Sequence, residues 1–215
     1  KHDGRLSLHA NPGLCMAQFG TDCFAGEGFG GNFRKINLPF IRALHMGLEQ
    51  WGTFSELIAS ADYDYGQSVG LLHGILPRAG AYELSHKNII DQPAAVWRIQ
   101  DAFGKTKAHW HPYWRNAAFV SSNSEQVKVS FWNRPAQGVL LVASNLGVDE
   151  IDAAIDVKWS KLGYRGKLDS LDMLPFADAA MLANNFLKAK LPPGKCRIIY
   201  AAPPAVALWP KMRKA

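Results

Sequence analysis

The chain has 215 residues, 48% of them hydrophobic and 20% charged, with a formal net charge of +6. This is the composition of an ordinary globular chain, long enough to bury a sizeable core in one large domain or two small ones. The positive charge is scattered, dense only at Lys211, Arg213 and Lys214, and no stretch holds eighteen consecutive apolar residues, so neither nucleic-acid binding nor a membrane span is expected.

Arg5 to Ala10 alternates between Gly4 and the turn Asn11-Pro12-Gly13 and reads as a strand with His9 at its C-terminal end. Leu14 to Phe19 reads as a short helix. Thr21 to Ala25 reads as the next strand, running into Gly26-Glu27-Gly28. Past this glycine-rich loop, Phe40, Ile41, Leu44, Leu48 and Trp51 recur at helical spacing, which predicts a helix over Leu38–Trp51 stopped by Gly52. Ser55 to Ser60 reads as a second short helix, and Asp62 to Gly66 as a loop. The apolar run Val69 to Leu76, bounded by Pro77, fits a buried strand, and periodicity alone leaves a helix open. After an irregular stretch from Arg78, Pro93 is read as opening a helix that ends at Phe103 and Gly104.

From His109 the helical spacing gives way to strand-like runs. These are Arg115–Ser121, Gln126–Asn133, Gly138–Asn145, Asp149–Lys158, Lys167–Leu174, Asn185–Leu191 and Lys195–Ala201. Arg134 to Gly138 and Pro192-Pro193-Gly194 are the turns between them. Strands at this spacing predict a β-sandwich. The expected fold is therefore α/β plus all-β. Residues 1–108 are read as the C-terminal βα units of a (β/α)8 barrel, 109–202 as an antiparallel β-sandwich and 203–215 as a Pro-rich tail. Three parallel strands make a poor free-standing sheet, and the chain opens at Lys1 without Met, so it reads as the C-terminal piece of a longer protein.

Gly26-Glu27-Gly28-Phe29-Gly30-Gly31 formally matches GxGxxG. A dinucleotide fold needs the helix to begin inside that motif and an acidic residue at a strand end about 20 residues on. Here the expected helix starts only at Leu38, and Glu49 lies within it, so the nucleotide reading is weak. A carboxylate at the C-terminal end of a barrel strand instead faces the active-site mouth. Glu27 is thus the candidate catalytic residue, set against the alternative of a solvated loop glutamate. Glycosidases mostly use two carboxyl groups, about 5–9.5 Å apart. Asp22 lies five residues away, an odd separation that puts it on the other face of a strand, so the partner is expected from another strand.

His9 and Asn11, at another strand end, and Arg78 are the candidate substrate-binding residues. Against this, His9 reads equally as a core histidine and Arg78 as a structural brace. His109 and His111 stand at i, i+2 without a third ligand in step, so no metal site and no cofactor are expected. Tyr113 and Trp114 read as packing, and Asp101 as a surface or bracing residue. Ser144 and Ser170 lack a nucleophile-elbow pattern. Three cysteines, Cys15, Cys23 and Cys196, make no disulfide framework and read as buried thiols. They leave the location open between a reducing compartment and export. The 7 Trp, 6 Tyr and 11 Phe supply core volume first and sugar-stacking surfaces second.

Five motifs in order, GEGF, GLLHGILPR, VWRIQDAFG, HPYW and VKVSFWNRPAQGVLLVASNL, resemble the C-terminal half of large proteins related to glycoside hydrolase family 123. The resemblance spans Leu6 to Ala201. It implies a (β/α)8 barrel flanked by β-sandwiches and a carbohydrate as substrate. Family 123 enzymes use an adjacent Asp-Glu pair to release N-acetylgalactosamine with help from the substrate. The pair here, Asp149-Glu150, falls in the predicted sandwich, so that role is not carried onto Glu27. Hydrolysis of an O-glycosidic bond in an oligo- or polysaccharide is the expected function. A non-catalytic carbohydrate-binding or scaffold piece is the alternative.

Overall fold

A computed structural model describes residues 7–9, 22–25, 37–45, 54–58, 63–78, 87–173, 181–183, 186–204 and 206. The chain forms two compact units, Lys1–Pro93 and Ala94–Ala215.

The first unit is built on a parallel sheet. Its strands are β1 (Ser7–His9), β2 (Asp22–Ala25), β3 (Phe54–Ile58) and β4 (Leu76–Arg78), in the order β1-β2-β3-β4. Helix α1 (Leu38–His45) stands between β2 and β3, and α2 (Tyr63–Leu72) between β3 and β4. Parallel neighbours need such crossovers, because a tight turn cannot return the chain to the same end of the sheet.

Two expectations are corrected here. Phe54–Ile58 is a strand, where local pattern predicts a helix over Ser55–Ser60. Glu, Leu and Ala favour helix locally, but pairing with β2 on one side and β4 on the other overrides that preference. Conversely, Val69–Leu72 belongs to α2 rather than to the expected strand, and the helix begins at Tyr63 inside the expected loop. Tyr65 to His73 are buried all round, so no amphipathic period marks the helix. Its end is written in the sequence all the same. Gly74 has φ +72°. Its N–H donates to Leu71 O (3.0 Å), and Ile75 N–H donates to Gly70 O (2.9 Å). This is a Schellman terminator, which needs a left-handed residue at Gly74. His73 Nδ1 adds a bond to Val69 O (2.7 Å), and the chain turns directly into β4.

Helix α3 (Lys87–Phe103) starts six residues before Pro93, the residue expected to open it. Proline has no N–H to offer Ile89 O, so the helix forgoes one hydrogen bond there. Gly104, at φ +71°, ends it.

The second unit is a sandwich of two antiparallel sheets. One has five strands in the order β10-β13-β8-β7-β5: β5 (His109–His111), β7 (Val127–Arg134), β8 (Gly138–Asn145), β10 (Asp169–Asp172) and β13 (Cys196–Ala202). The other has four in the order β11-β12-β9-β6: β6 (Val120–Ser122), β9 (Ile151–Val157), β11 (Met181–Ala183) and β12 (Phe186–Leu191). The strand expected at Arg115–Ser121 is turn up to Phe119, and only β6 pairs. The tail beyond Val206 and the expected helix at Leu14–Phe19 lie outside the described residues.

The two sheets bury different patterns. β12, FLKAKL, alternates, with Leu187, Ala189 and Leu191 inward and Lys188 and Lys190 exposed. β8, GVLLVASN, is buried along its whole length. An unbroken apolar strand has both faces covered, whereas an alternating one faces water on one side. The shared core joins Val129, Phe131, Leu141 and Ile199 of the five-stranded sheet to Ile155 and Leu187 of the other. On the far face of the five-stranded sheet, Phe103 of α3 meets Tyr200 edge-on, with ring centroids 6.0 Å apart.

Candidate functional site

Of the candidate catalytic and substrate-binding residues, His9 and Arg78 are placed. His9 is the last residue of β1 and Arg78 the last of β4. The C-terminal ends of parallel strands lie along one edge of their sheet, and this edge is where α/β folds build sites. His9 and Arg78 are three strand spacings apart along it, about 14 Å. Glu27 and Asn11 lie outside the described residues, each two positions past a strand end in the sequence, as does the glycine loop Gly26–Gly31.

One carboxylate has no place in the sequence reading. Glu56, expected in a helix, lies in β3 in register with Phe24 of β2 and Leu76 of β4. Correct placement needs the β2–β3–β4 pairing, which no local signal in FSELI announces.

Several polar groups buried in the second unit are occupied structurally, whereas Trp110 Nε1 is buried there without a hydrogen-bond partner among the described residues. Asn116 donates through Nδ2 to Val129 O (2.8 Å) and His111 O (3.1 Å), fixing the turn before β6. Asn145 donates to Asp149 O (2.7 Å) and Leu191 O (2.9 Å) and accepts from Gly147 N–H (2.8 Å). It thus ties the β8–β9 loop to the end of β12. The Tyr164 hydroxyl sits 2.9 Å from Asn133 Oδ1 and 2.7 Å from Arg134 O, and accepts from Gly138 N–H (3.1 Å). Burial pushes its pKa up, because the charged phenolate loses more solvation than the neutral form. Gly138 has φ +126°, and a Cβ there would come within 2.6 Å of the Tyr200 ring. The hairpin in FWNRPAQG therefore needs its glycine for both conformation and space.

Arg134 donates through Nη1 to Phe103 O, a cation on the carbonyl end of α3, where the helix dipole favours it. Arg197 donates to Lys190 O through Nε (3.2 Å) and Nη2 (2.9 Å), and its Nη1 lies 3.5 Å from Asp172 Oδ2. The guanidinium and the carboxylate are 7% and 4% exposed, so this is a buried ion pair. Lys105 donates to Gln100 Oε1 (3.2 Å) and lies 4.7 Å from the Trp132 ring centroid. Burial pulls its pKa down to about 8.

His109 and His111 share a face of β5, as their spacing requires. His111 stacks on Phe131 at 4.5 Å and meets Phe119 edge-on at 5.1 Å. Burial first, then the neighbouring His109, holds its pKa below the usual histidine value. Among the described residues no three His, Cys, Asp or Glu side chains are grouped to hold a metal ion. Asp149 and Glu150 are exposed at the start of β9, and Glu150 pairs with Lys190 at 3.0 Å. The family-123 type of Asp-Glu site is thus not built on that pair. Asp101 is exposed, and Cys196 is a buried thiol that forms no disulfide.

Residues 92–179 match the family model for the Glycoside hydrolase 123, C-terminal domain. That segment contains VWRIQDAFG, HPYW and VKVSFWNRPAQGVLLVASNL, three of the five motifs behind the resemblance. That segment is thus similar to the C-terminal domain of glycoside hydrolase family 123, and most of it lies in the β-sandwich. Two solved structures are similar in fold. A noncanonic maltogenic alpha-amylase, AmyB, from Thermotoga neapolitana has a TM-score of 0.56 at 11% identity, covering 92% of this chain and 55% of that one. An Anoxybacillus alpha-amylase has a TM-score of 0.52 at 8% identity, covering 88% and 54%. The chain spans about half the length of these two structures. No curated protein matches it.

Proposed function

We propose that this chain belongs to a glycoside hydrolase that cleaves O-glycosidic bonds in an oligo- or polysaccharide. In this reading residues 1–108 are the closing βα units of a (β/α)8 barrel, 109–202 are the sandwich that follows it, and 203–215 are a tail. The observation that carries it is a parallel sheet in sequential order, with His9 and Arg78 at strand ends, followed by a Glycoside hydrolase 123, C-terminal domain. Strands added one after another to the same edge give the order that a barrel uses. Glu27 acts as the acid/base carboxylate at that rim, and His9, Asn11 and Arg78 hold sugar hydroxyls.

The competing reading, a carbohydrate-binding piece without catalysis, calls for a row of exposed Trp or Tyr on the sandwich. Among the described residues the exposed large hydrophobics are Trp97, Val148 and Phe186, which do not make such a row. The test is turnover of 4-nitrophenyl glycosides by the whole protein and by Glu27→Gln. A loss of about 10²–10⁴ in kcat is expected for an acid/base carboxylate, and an unchanged rate removes Glu27 from catalysis.

A further inference from the structure

The segment between β9 and β10, residues 158–167, carries Lys158, Lys161, Arg165 and Lys167 and no acidic residue. Interleaved with apolar residues, these cations read as scattered in the sequence. The fold separates the two kinds. Trp159, Leu162 and Tyr164 within the segment, and Leu168 just past it, are buried in the sandwich core. Anchors so closely spaced leave the residues between them only the surface, and all four cations are exposed. A short 3-10 helix over Trp159–Leu162 and a bond from Tyr164 N–H to Trp159 O (3.0 Å) fix the backbone between the anchors. The cations thus stand on a loop pinned to the core.

Their own partners do not balance them. Lys158 pairs with Asp156, and Lys167 lies 3.6 Å from Asp169, with both side chains well exposed. Lys161 donates to Ala118 O (3.1 Å), a carbonyl that leaves its charge uncancelled. Arg165 makes no ion pair among the described residues. Two carboxylates therefore face four cations. β12 adds a ring beside them. Phe186 lies in register with Asp156, directly opposite on the neighbouring strand, and is 41% exposed. Leu187 points inward, so Phe186 and Lys188 share the outer face of the sheet. Lys188 is exposed and has no acidic partner among the described residues.

We propose that Lys158, Lys161, Arg165, Lys167, Phe186 and Lys188 form a binding surface for an acidic polysaccharide. The flat apolar ring suits the C–H face of a pyranose, and the excess of cations suits carboxylate or sulfate groups along the polymer. This rests on the glycosidase reading and narrows its substrate to an anionic glycan. The surface holds the polymer and breaks no bond, so small neutral glycosides are turned over without its help.

The test is calorimetric titration of the whole protein with dextran sulfate, polygalacturonate and neutral dextran. Both anionic polymers are expected to bind and dextran is not. Affinity is expected to fall at least about tenfold between about 0.1 and about 1 M NaCl, as the Debye length shrinks from about 10 to about 3 Å. Arg165→Glu/Lys167→Glu leaves the apolar anchors and Lys161 in place and is expected to weaken anionic binding at least about tenfold. Phe186→Ala is expected to weaken it at least about threefold. Turnover of 4-nitrophenyl glycosides per folded molecule is expected to stay at the wild-type rate in both. Arg165→Gln/Lys167→Gln replaces the reversed pair if that variant does not fold. Lys211→Glu/Arg213→Glu reverses the same charge elsewhere and is expected to leave binding within about twofold. The surface is overturned if dextran binds as tightly as the anionic polymers, or if the Lys211 and Arg213 variant loses binding while the loop variant keeps it. It is equally overturned if duplex DNA or phosphatidylserine vesicles bind more tightly than either anionic polysaccharide. An unchanged affinity in a folded loop variant of an active enzyme overturns the surface and leaves the glycosidase reading standing. Loop-dependent binding by a wild-type protein that hydrolyses no glycoside upholds the surface and overturns that reading.

Discussion

The sandwich and the parallel sheet of this protein place polar residues differently. In the sandwich, Asn116, Asn145 and Arg197 are buried and bonded to backbone carbonyls of the sandwich itself. Nothing in that arrangement awaits a ligand, because a buried amide that already holds two carbonyls has spent its donors. In the parallel sheet, His9 and Arg78 close strands along one edge. Buried polarity alone therefore says little about function. Polarity satisfied by its own loops is architecture, whereas polar residues at the C-terminal ends of parallel strands are candidates for chemistry.

The contrast can be broken at several points. The largest effect is expected at Arg197. Arg197→Ala leaves Asp172 buried without its cation and should cost about 3–5 kcal/mol in denaturant unfolding; a cost below about 1 kcal/mol would mean that the pair does not hold the sandwich. Tyr164→Phe strips the partner from Gly138 N–H and from Asn133 Oδ1, and should cost about 1–3 kcal/mol by the same measurement. Hydrolysis per folded molecule should be unchanged by either substitution. In the first unit, Gly74→Ala forces a Cβ into a left-handed position and should cost about 1–2 kcal/mol.

A different kind of effect is a pH slope. Lys105 has its pKa lowered to about 8 by burial, against a usual value near 10.4 in the unfolded chain. Between those values the unfolded state binds the proton that the folded state has released, so stability rises with pH across that window. Below about 8 both states are protonated and the full cost of burying the charge is felt. Melting temperatures from pH 8 to 10 should show this rise in the wild type and lose it in Lys105→Met.

The sandwich is largely legible in the sequence because each of its signals is local. β8 at Gly138–Asn145 follows from an apolar run and β12 at Phe186–Leu191 from strict alternation, each bounded by turn residues, and the hairpin follows from Arg134-Pro135-Ala136-Gln137-Gly138. The parallel unit is less legible. Its helix α2 is buried all round and shows no period, and its strand β3 exists through neighbours distant in sequence. The terminator at His73-Gly74-Ile75 is the one local sign that a helix, not a strand, ends there. A helical reading of β3 hides Glu56, so only Glu27, marked by its glycines, stands out from the sequence as a candidate carboxylate.

The most direct measurement compares the two regions in one assay: kcat on 4-nitrophenyl glycosides for the wild type, Glu27→Gln and Tyr164→Phe, each corrected for its folded fraction. The expected result is a loss of about 10²–10⁴ for Glu27→Gln and wild-type turnover per folded molecule for Tyr164→Phe. Full activity in Glu27→Gln, or abolished turnover in a folded Tyr164→Phe, would contradict the assignment of chemistry to the parallel sheet and of support to the sandwich.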